Sequence, residues 1–201
     1  EQYLPKDIFE YMSAKTLGQD DVLRKVSVAV YKHINRILAG NILLIGSSGT
    51  GKTTIMNTIQ QFYSEYRDLK KFKVMTIMNA NMLAGEDQGD VNLHRLVKSL
   101  EVAVNNTFGL YITERKLQEY MENATVCIDE VDKIASQISG KANVSGLAIQ
   151  HALLTLIEGE KILLETTRTI DGKKHQLKMP IDTTNMLFIC GGAFEGLYDQ
   201  I

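Results

Sequence analysis

The stretch Gly46-Ser47-Ser48-Gly49-Thr50-Gly51-Lys52-Thr53 constrains this chain more than any other. It fits G-x-x-x-x-G-K-[ST] and stands where that pattern has a physical meaning. An apolar run, Ile42-Leu43-Leu44-Ile45, precedes it, and a segment carrying Ile55, Ile59 and Phe62 at helical spacing follows. Strand, glycine-rich loop and helix together make a phosphate cradle. The glycines let successive backbone N–H groups converge on one anion, and the helix N-terminus behind them adds roughly half a positive charge. Lys52 has the length to reach β- and γ-phosphates, and Thr53 offers a hydroxyl to Mg2+. Ser48, Gly49, Thr50, Gly51, Lys52, Thr53 and Thr54 are therefore the candidate residues of a nucleoside triphosphate site. The competing explanation is a glycine-rich turn bearing an exposed lysine.

A second stretch bears on the first. Ala124-Thr125-Val126-Cys127-Ile128 is a continuous apolar run, as a parallel strand buried on both faces requires, and it ends in Asp129-Glu130. In open α/β sheets ligands sit at the carboxyl ends of strands. Asp129 is thus placed to face Mg2+ beside Thr53, and Glu130, one residue on, to orient or deprotonate an attacking water. Two solvated acids at a strand end are the alternative, and the phosphate loop upstream weighs against it.

The rest of the chain fills in an alternation of strands and helices. A short helix is expected over 1–15 with Pro5 near its start and Ile8, Phe9 and Met12 on one face. A longer one runs from Gln19 or Asp20 to Gly40, with Val22, Val26, Ala29, Val30, His33 and Ile37 apolar-side. His33 reads as a packed histidine, since no ligand cluster lies near it in sequence. Lys73–Met78 and Asn185–Cys190 read as strands, and 91–105, 113–122 and a segment capped by Ser145 and closed by Gly159 as helices. The loop 79–90 is acidic, with Glu86, Asp87 and Asp90. A solvated loop is the plain reading, and its spacing matches no calcium loop. Ser136–Asn143 reads as a polar loop. Asp171-Gly172 between Lys161–Thr166 and Lys174–Lys178 is a hairpin signal, with Lys173-Lys174-His175 as its basic tip.

Composition excludes several classes. With 201 residues the chain suits one domain with a sizeable core, and its formal charge of −2 gives no global attraction to nucleic acid or anionic membrane. No apolar run approaches the roughly 18 residues of a membrane span, and no signal-peptide pattern opens the chain. Cys127 and Cys190 lie in apolar strands and read as buried thiols of a reducing, cytoplasmic compartment. A disulfide remains open if the two strands are neighbours.

The wording of the chain resembles the large subdomain of the ClpX family of AAA+ ATPases over nearly its whole length. The resemblance is carried by Gly18-Gln19, by Asn41–Gly46, by Ile128-Asp129-Glu130-Val131-Asp132-Lys133-Ile134 and by Val144-Ser145-Gly146. Its most specific pieces are Ala152-Leu153-Leu154-Thr155-Leu156-Ile157-Glu158-Gly159 and Leu187–Phe194. It implies an α/β, three-layer P-loop NTPase (AAA+) fold: a mainly parallel sheet flanked by helices, with an inserted β-hairpin. It further implies ATP and Mg2+ as cofactors, Thr16 and Leu17 near the adenine base, Asp129 and Glu130 as the second Walker motif, and Glu130 as the catalytic residue. Residues 1–201 would be the nucleotide-binding subdomain of a hexameric ring, a protein unfoldase feeding a Clp-type peptidase. The zinc module and the small C-terminal subdomain would lie outside this chain. Lys173, Lys174 and His175 match the family's Arg-Lys-His loop, which touches the polypeptide substrate. Hydrolysis would need a neighbour's arginine.

The departures are local. Where the family's central pore loop carries Gly-Tyr-Val-Gly, this chain has Gly85-Glu86-Asp87-Gln88-Gly89-Asp90, with no aromatic to grip a translocating chain. Leu147 replaces a customary glutamate. A divergent paralogue that remodels or scaffolds one partner, without processive unfolding, is the alternative these changes raise.

Overall fold

The computed structural model describes residues 3–38, 42–46, 51–87, 89–131, 137–138, 141–142 and 144–192. In chain order its elements are α1 (Pro5–Lys15), α2 (Asp20–Ile34), β1 (Ile42–Gly46), α3 (Gly51–Glu65), β2 (Met75–Asn79), α4 (His94–Phe108), α5 (Glu114–Glu122), β3 (Thr125–Asp129), β4 (Gln137–Ile138), β5 (Lys141–Ala142), α6 (Val144–Glu158), β6 (Lys161–Ile170), β7 (Lys173–Asp182) and β8 (Leu187–Gly192). Short 3-10 turns at Arg67–Phe72 and Ala80–Leu83 flank β2.

The four continuous apolar runs pair into one parallel sheet of order β1-β8-β3-β2. Alternation along each strand divides the core in two. Val126, Ile128, Phe188 and Cys190 pack with α4, α5, α6 and the β6–β7 hairpin. Cys127, Leu187 and Ile189 pack on the other face with α1, α2 and α3. This is the three-layer α/β architecture with an inserted hairpin. The same division answers the cysteine question. β3 and β8 are neighbours, but Cys127 lies opposite Ile189 while Cys190 lies opposite Ile128, so the two thiols point to opposite faces of the sheet. Both are free and buried, and no disulfide joins them.

Several boundaries differ from the sequence expectation for identifiable reasons. α2 stops at Ile34 rather than near Gly40 because Arg36 takes the left-handed region, at φ 55°. The Ile37 N–H then bonds to the Lys32 carbonyl (2.8 Å) and the Arg36 N–H to that of His33 (3.2 Å), a Schellman ending built on arginine instead of glycine. Leu23, not Val22, is the fully buried residue of its first turn. α4 begins at His94 and runs to Phe108, where Gly109 at φ 81° closes it. Thr113 caps α5, accepting from the Lys116 N–H at 3.2 Å. Ser145 lies inside α6, which starts at Val144. The Ser136–Asn143 stretch, expected to be loop, contains the two-residue strands β4 and β5 paired antiparallel.

The hairpin is longer than the expected strands. Ten residues of β6 pair with ten of β7, and the turn has Asp171 at φ 50° and Gly172 at φ 76°. Two positive φ values are what a two-residue turn needs to match strand twist. Its inner face packs on α4 and α5. Buried Arg168 fastens it there, donating to the Leu110 carbonyl (3.1 Å) and to Asn105 Oδ1 (2.7 Å). Among the described residues no helix is long and apolar enough to cross a membrane.

Candidate active site

The site forms where β1, β8, β3 and β2 end together and α3 begins. Because side chains alternate along a strand, Asp129 falls on the same face of β3 as Cys127, the face covered by α3. Lys52, in the first turn of α3, lies over that strand end. Its Nζ donates to Asp129 Oδ1 in a close ion pair, with side-chain exposures of 16% and 35%. The pair sits half out of water, where a charge–charge contact counts for more than on an open surface. It also raises the Cys127 thiol: burial comes first, the Asp129 charge adds to it and Lys52 opposes it, leaving the group at about 11.

Glu130 leaves the strand with φ 59°, a left-handed conformation uncommon for a non-glycine residue and found at sites where the backbone must turn sharply. Its N–H bonds back to Asp129 Oδ1 at 2.8 Å. Its carboxylate accepts from the side-chain amide of Asn79, which ends β2 directly beside Asp129 in the ladder. The orientation of that amide is determined by its other end, since Asn79 Oδ1 accepts the Asn81 N–H at 3.0 Å. The NH2 group is left to face Glu130. Sequence reasoning missed Asn79, which reads only as the start of a loop; a polar residue at the carboxyl end of an apolar strand was the available signal.

Thr53 and Thr54 are exposed in the first turn of α3. Thr16 is buried at 4% exposure, its hydroxyl 2.8 Å from that of Thr58. Thr58 gives its own proton to the Thr54 carbonyl, so Thr16 is the donor of the pair. This chain of hydroxyls ties the α1–α2 turn to the first turn of α3 and leaves Leu17 beside it, 91% exposed. Ser48, Gly49 and Thr50 lie outside the described residues, as do Asp132, Lys133 and Ile134. Lys173, Lys174 and His175 are exposed at the hairpin tip. The acidic loop is closed at its base by an Ala84–Val91 bridge and a Gly85 N–H to Asp90 carbonyl bond of 2.8 Å.

Among the described residues no three His, Cys, Asp or Glu side chains converge to hold a metal. What the chain offers a divalent cation is one carboxylate, Asp129, and one hydroxyl, Thr53. That sparse all-oxygen set suits Mg2+, which takes few protein ligands and fills its shell with water and phosphate oxygens.

A parallel sheet with a lysine at the head of the helix after β1, and an Asp-Glu pair ending a neighbouring strand, defines a P-loop ATPase. Residues 38–201 match the model of the AAA domain (Cdc48 subfamily), and the chain belongs to that family. Within it the chain is ClpX-like. It is 33% identical over 218 aligned positions to the ATP-binding subunit ClpX of the ATP-dependent Clp protease of Bacteroides thetaiotaomicron, covering 98% of this chain and 46% of that protein. It is 32% identical over 215 positions to the ClpX subunit of Porphyromonas gingivalis (98% and 47%) and 33% identical over 215 to that of Treponema denticola (96% and 45%). The chain thus spans about half the length of the curated relatives it matches.

Proposed function

We propose that this chain is the nucleotide-binding subdomain of a ClpX-like protein-remodelling ring, and that it binds and hydrolyses ATP at the Lys52–Asp129–Glu130 site. The observation that carries the reading is the convergence of those three groups on one strand end, with Glu130 held by Asn79. Bound Mg2+ supplies charge neutralisation and orientation of the phosphate oxygens. Thr53 and Asp129 would hold it. Ser48, Gly49, Thr50, Gly51 and Thr54 belong to the phosphate cradle, with Lys52 as its mobile cation. Glu130 orients water and accepts its proton, a role for a carboxylate aimed by one neighbour and otherwise open. Thr16 and Leu17 border the base, because the Thr16–Thr58–Thr54 hydroxyl chain anchors that turn to the start of α3.

The polypeptide substrate is the proposed cargo, with Lys173, Lys174 and His175 as contacts, and a Clp-type peptidase the proposed partner. The acidic loop favours one variation. Glu86 and Asp87 are exposed there and no aromatic is present, so remodelling of a specific partner without processive pulling is the second reading.

Lys52→Ala removes the phosphate cation and is expected to abolish tight binding of a fluorescent ATP analogue. Glu130→Gln is expected to retain binding and to slow hydrolysis by about a hundredfold or more, as for loss of a general base. Unchanged nucleotide affinity in Lys52→Ala would remove the site from this part of the fold. Unfolding of a tagged stable protein by the full-length ring would decide against the second reading.

A further inference from the structure

We infer that Gly191 is a positioning residue, and that the Lys52–Asp129 ion pair it permits is a latch that nucleotide and metal must open together. The inference rests on the nucleotide site proposed above and concerns its regulation.

Gly191 lies in β8, across from Ile45 of β1. A Cβ built on it would stand 2.7 Å from Lys52 Cδ, 3.2 Å from Lys52 Nζ and 3.1 Å from Asp129 Oδ1. Its three nearest neighbours therefore all belong to the ion pair, and none is backbone. Nor is its φ in the left-handed region, so the strand itself does not call for glycine. What calls for it is the aliphatic stem of Lys52, which crosses the strand where a methyl group would be. Because that stem is flexible, a methyl group there moves the lysine and leaves the sheet in place.

The pair has a consequence for binding. One ammonium group cannot both contact Asp129 and extend to a phosphate. A nucleotide arriving without metal takes Lys52 and leaves Asp129 unpaired and half desolvated. A metal arriving without nucleotide meets a carboxylate already neutralised. Only the two together exchange one neutral pair for two satisfied charges. The latch therefore selects the metal–nucleotide complex over either component.

The test is the affinity of the full chain for fluorescently labelled ADP in excess EDTA. Gly191→Ala and Asp129→Asn each dissolve the pair and are each expected to tighten metal-free binding by about fivefold, the scale of a partly exposed ion pair. They act on one contact, so the double variant is expected to bind no more tightly than the tighter single. Metal-free affinity unchanged in Gly191→Ala overturns the inference, and so do gains that multiply in the double variant. Circular dichroism and a thermal melt check folding. A Gly191→Ala protein that fails to fold would show that the glycine serves the strand and not the lysine, which also overturns it. Failure of the underlying site is read separately, from Lys52→Ala, which abolishes binding with or without metal only if the nucleotide sits there.

Discussion

His33 makes acid stability a sharp test of the packing between α2 and the sheet. The side chain is 6% exposed, its Nε2 lies 2.9 Å from the Asn123 carbonyl, and its ring meets Phe72 edge-on at 5.2 Å between centroids. With a carbonyl as partner, Nε2 carries the hydrogen and donates. Burial pushes the imidazole from 6.5 down to about 4, with backbone bonds to Asn123 and Asn185 resisting and Lys71 assisting. Between those values the unfolded chain holds a proton that the native protein does not. Stability from this residue is therefore complete above the unfolded pKa, falls as the pH drops below it, and levels off beneath the folded one. The full shift is worth about 3 kcal/mol, of which about 2 kcal/mol is lost between about pH 7.5 and about pH 5.

His33→Gln keeps an amide donor for Asn123 and removes the titration. Urea unfolding of both proteins across that window is the assay. The variant is expected to start less stable, because the edge contact with Phe72 is lost, but the gap should close by about 2 kcal/mol as the pH falls. The comparison cancels Glu122, whose carboxyl is raised chiefly by burial. Its contribution runs the other way, present at low pH and lost as the pH rises, and it is common to both proteins. Curves that stay parallel over the whole window would refute a neutral, buried His33.

Asn79→Ala should leave nucleotide affinity near that of the wild type while lowering hydrolysis by about tenfold or more, since it frees Glu130 without touching Lys52; steady-state turnover and equilibrium binding measured together check this. Cys127 and Cys190, raised by burial to about 11 and about 12, should react slowly with a thiol reagent in the native protein and fast in denaturant. Mild oxidation followed by mass spectrometry should yield no intramolecular disulfide.

Much of the fold was legible because strong local patterns coincided with tertiary demand. The runs that became β1, β3 and β8 could be buried on both faces, and α4 and α5 buried the stripes their periodicity marked. Errors clustered at ends. Gly40 looked like the stop of α2, but the chain ended that helix with Arg36 in a left-handed conformation, a cost that side-chain chemistry does not advertise. Ser145 looked like a cap, yet α6 already includes Val144. The hairpin turn was read from Asp171-Gly172, while the length of its strands depended on Arg168 finding Leu110 and Asn105 in another part of the chain.

The site divides along the same line. Lys52, Asp129 and Glu130 announce themselves because each lies in a motif whose chemistry is local: a lysine after glycines, two acids after a strand. Asn79 and Gly191 do not, because their roles exist only across the sheet. Asn79 matters since register sets it beside Asp129, and Gly191 matters since the lysine of a different element passes over it. Four strands in the order β1-β8-β3-β2 bring residues 46, 191, 129 and 79 to one edge, although they are scattered over most of the chain. A motif names the groups that do chemistry, while the strand order decides which neighbours aim them. For this chain the neighbours are an amide that points Glu130 and an absent side chain that lets Lys52 lie down.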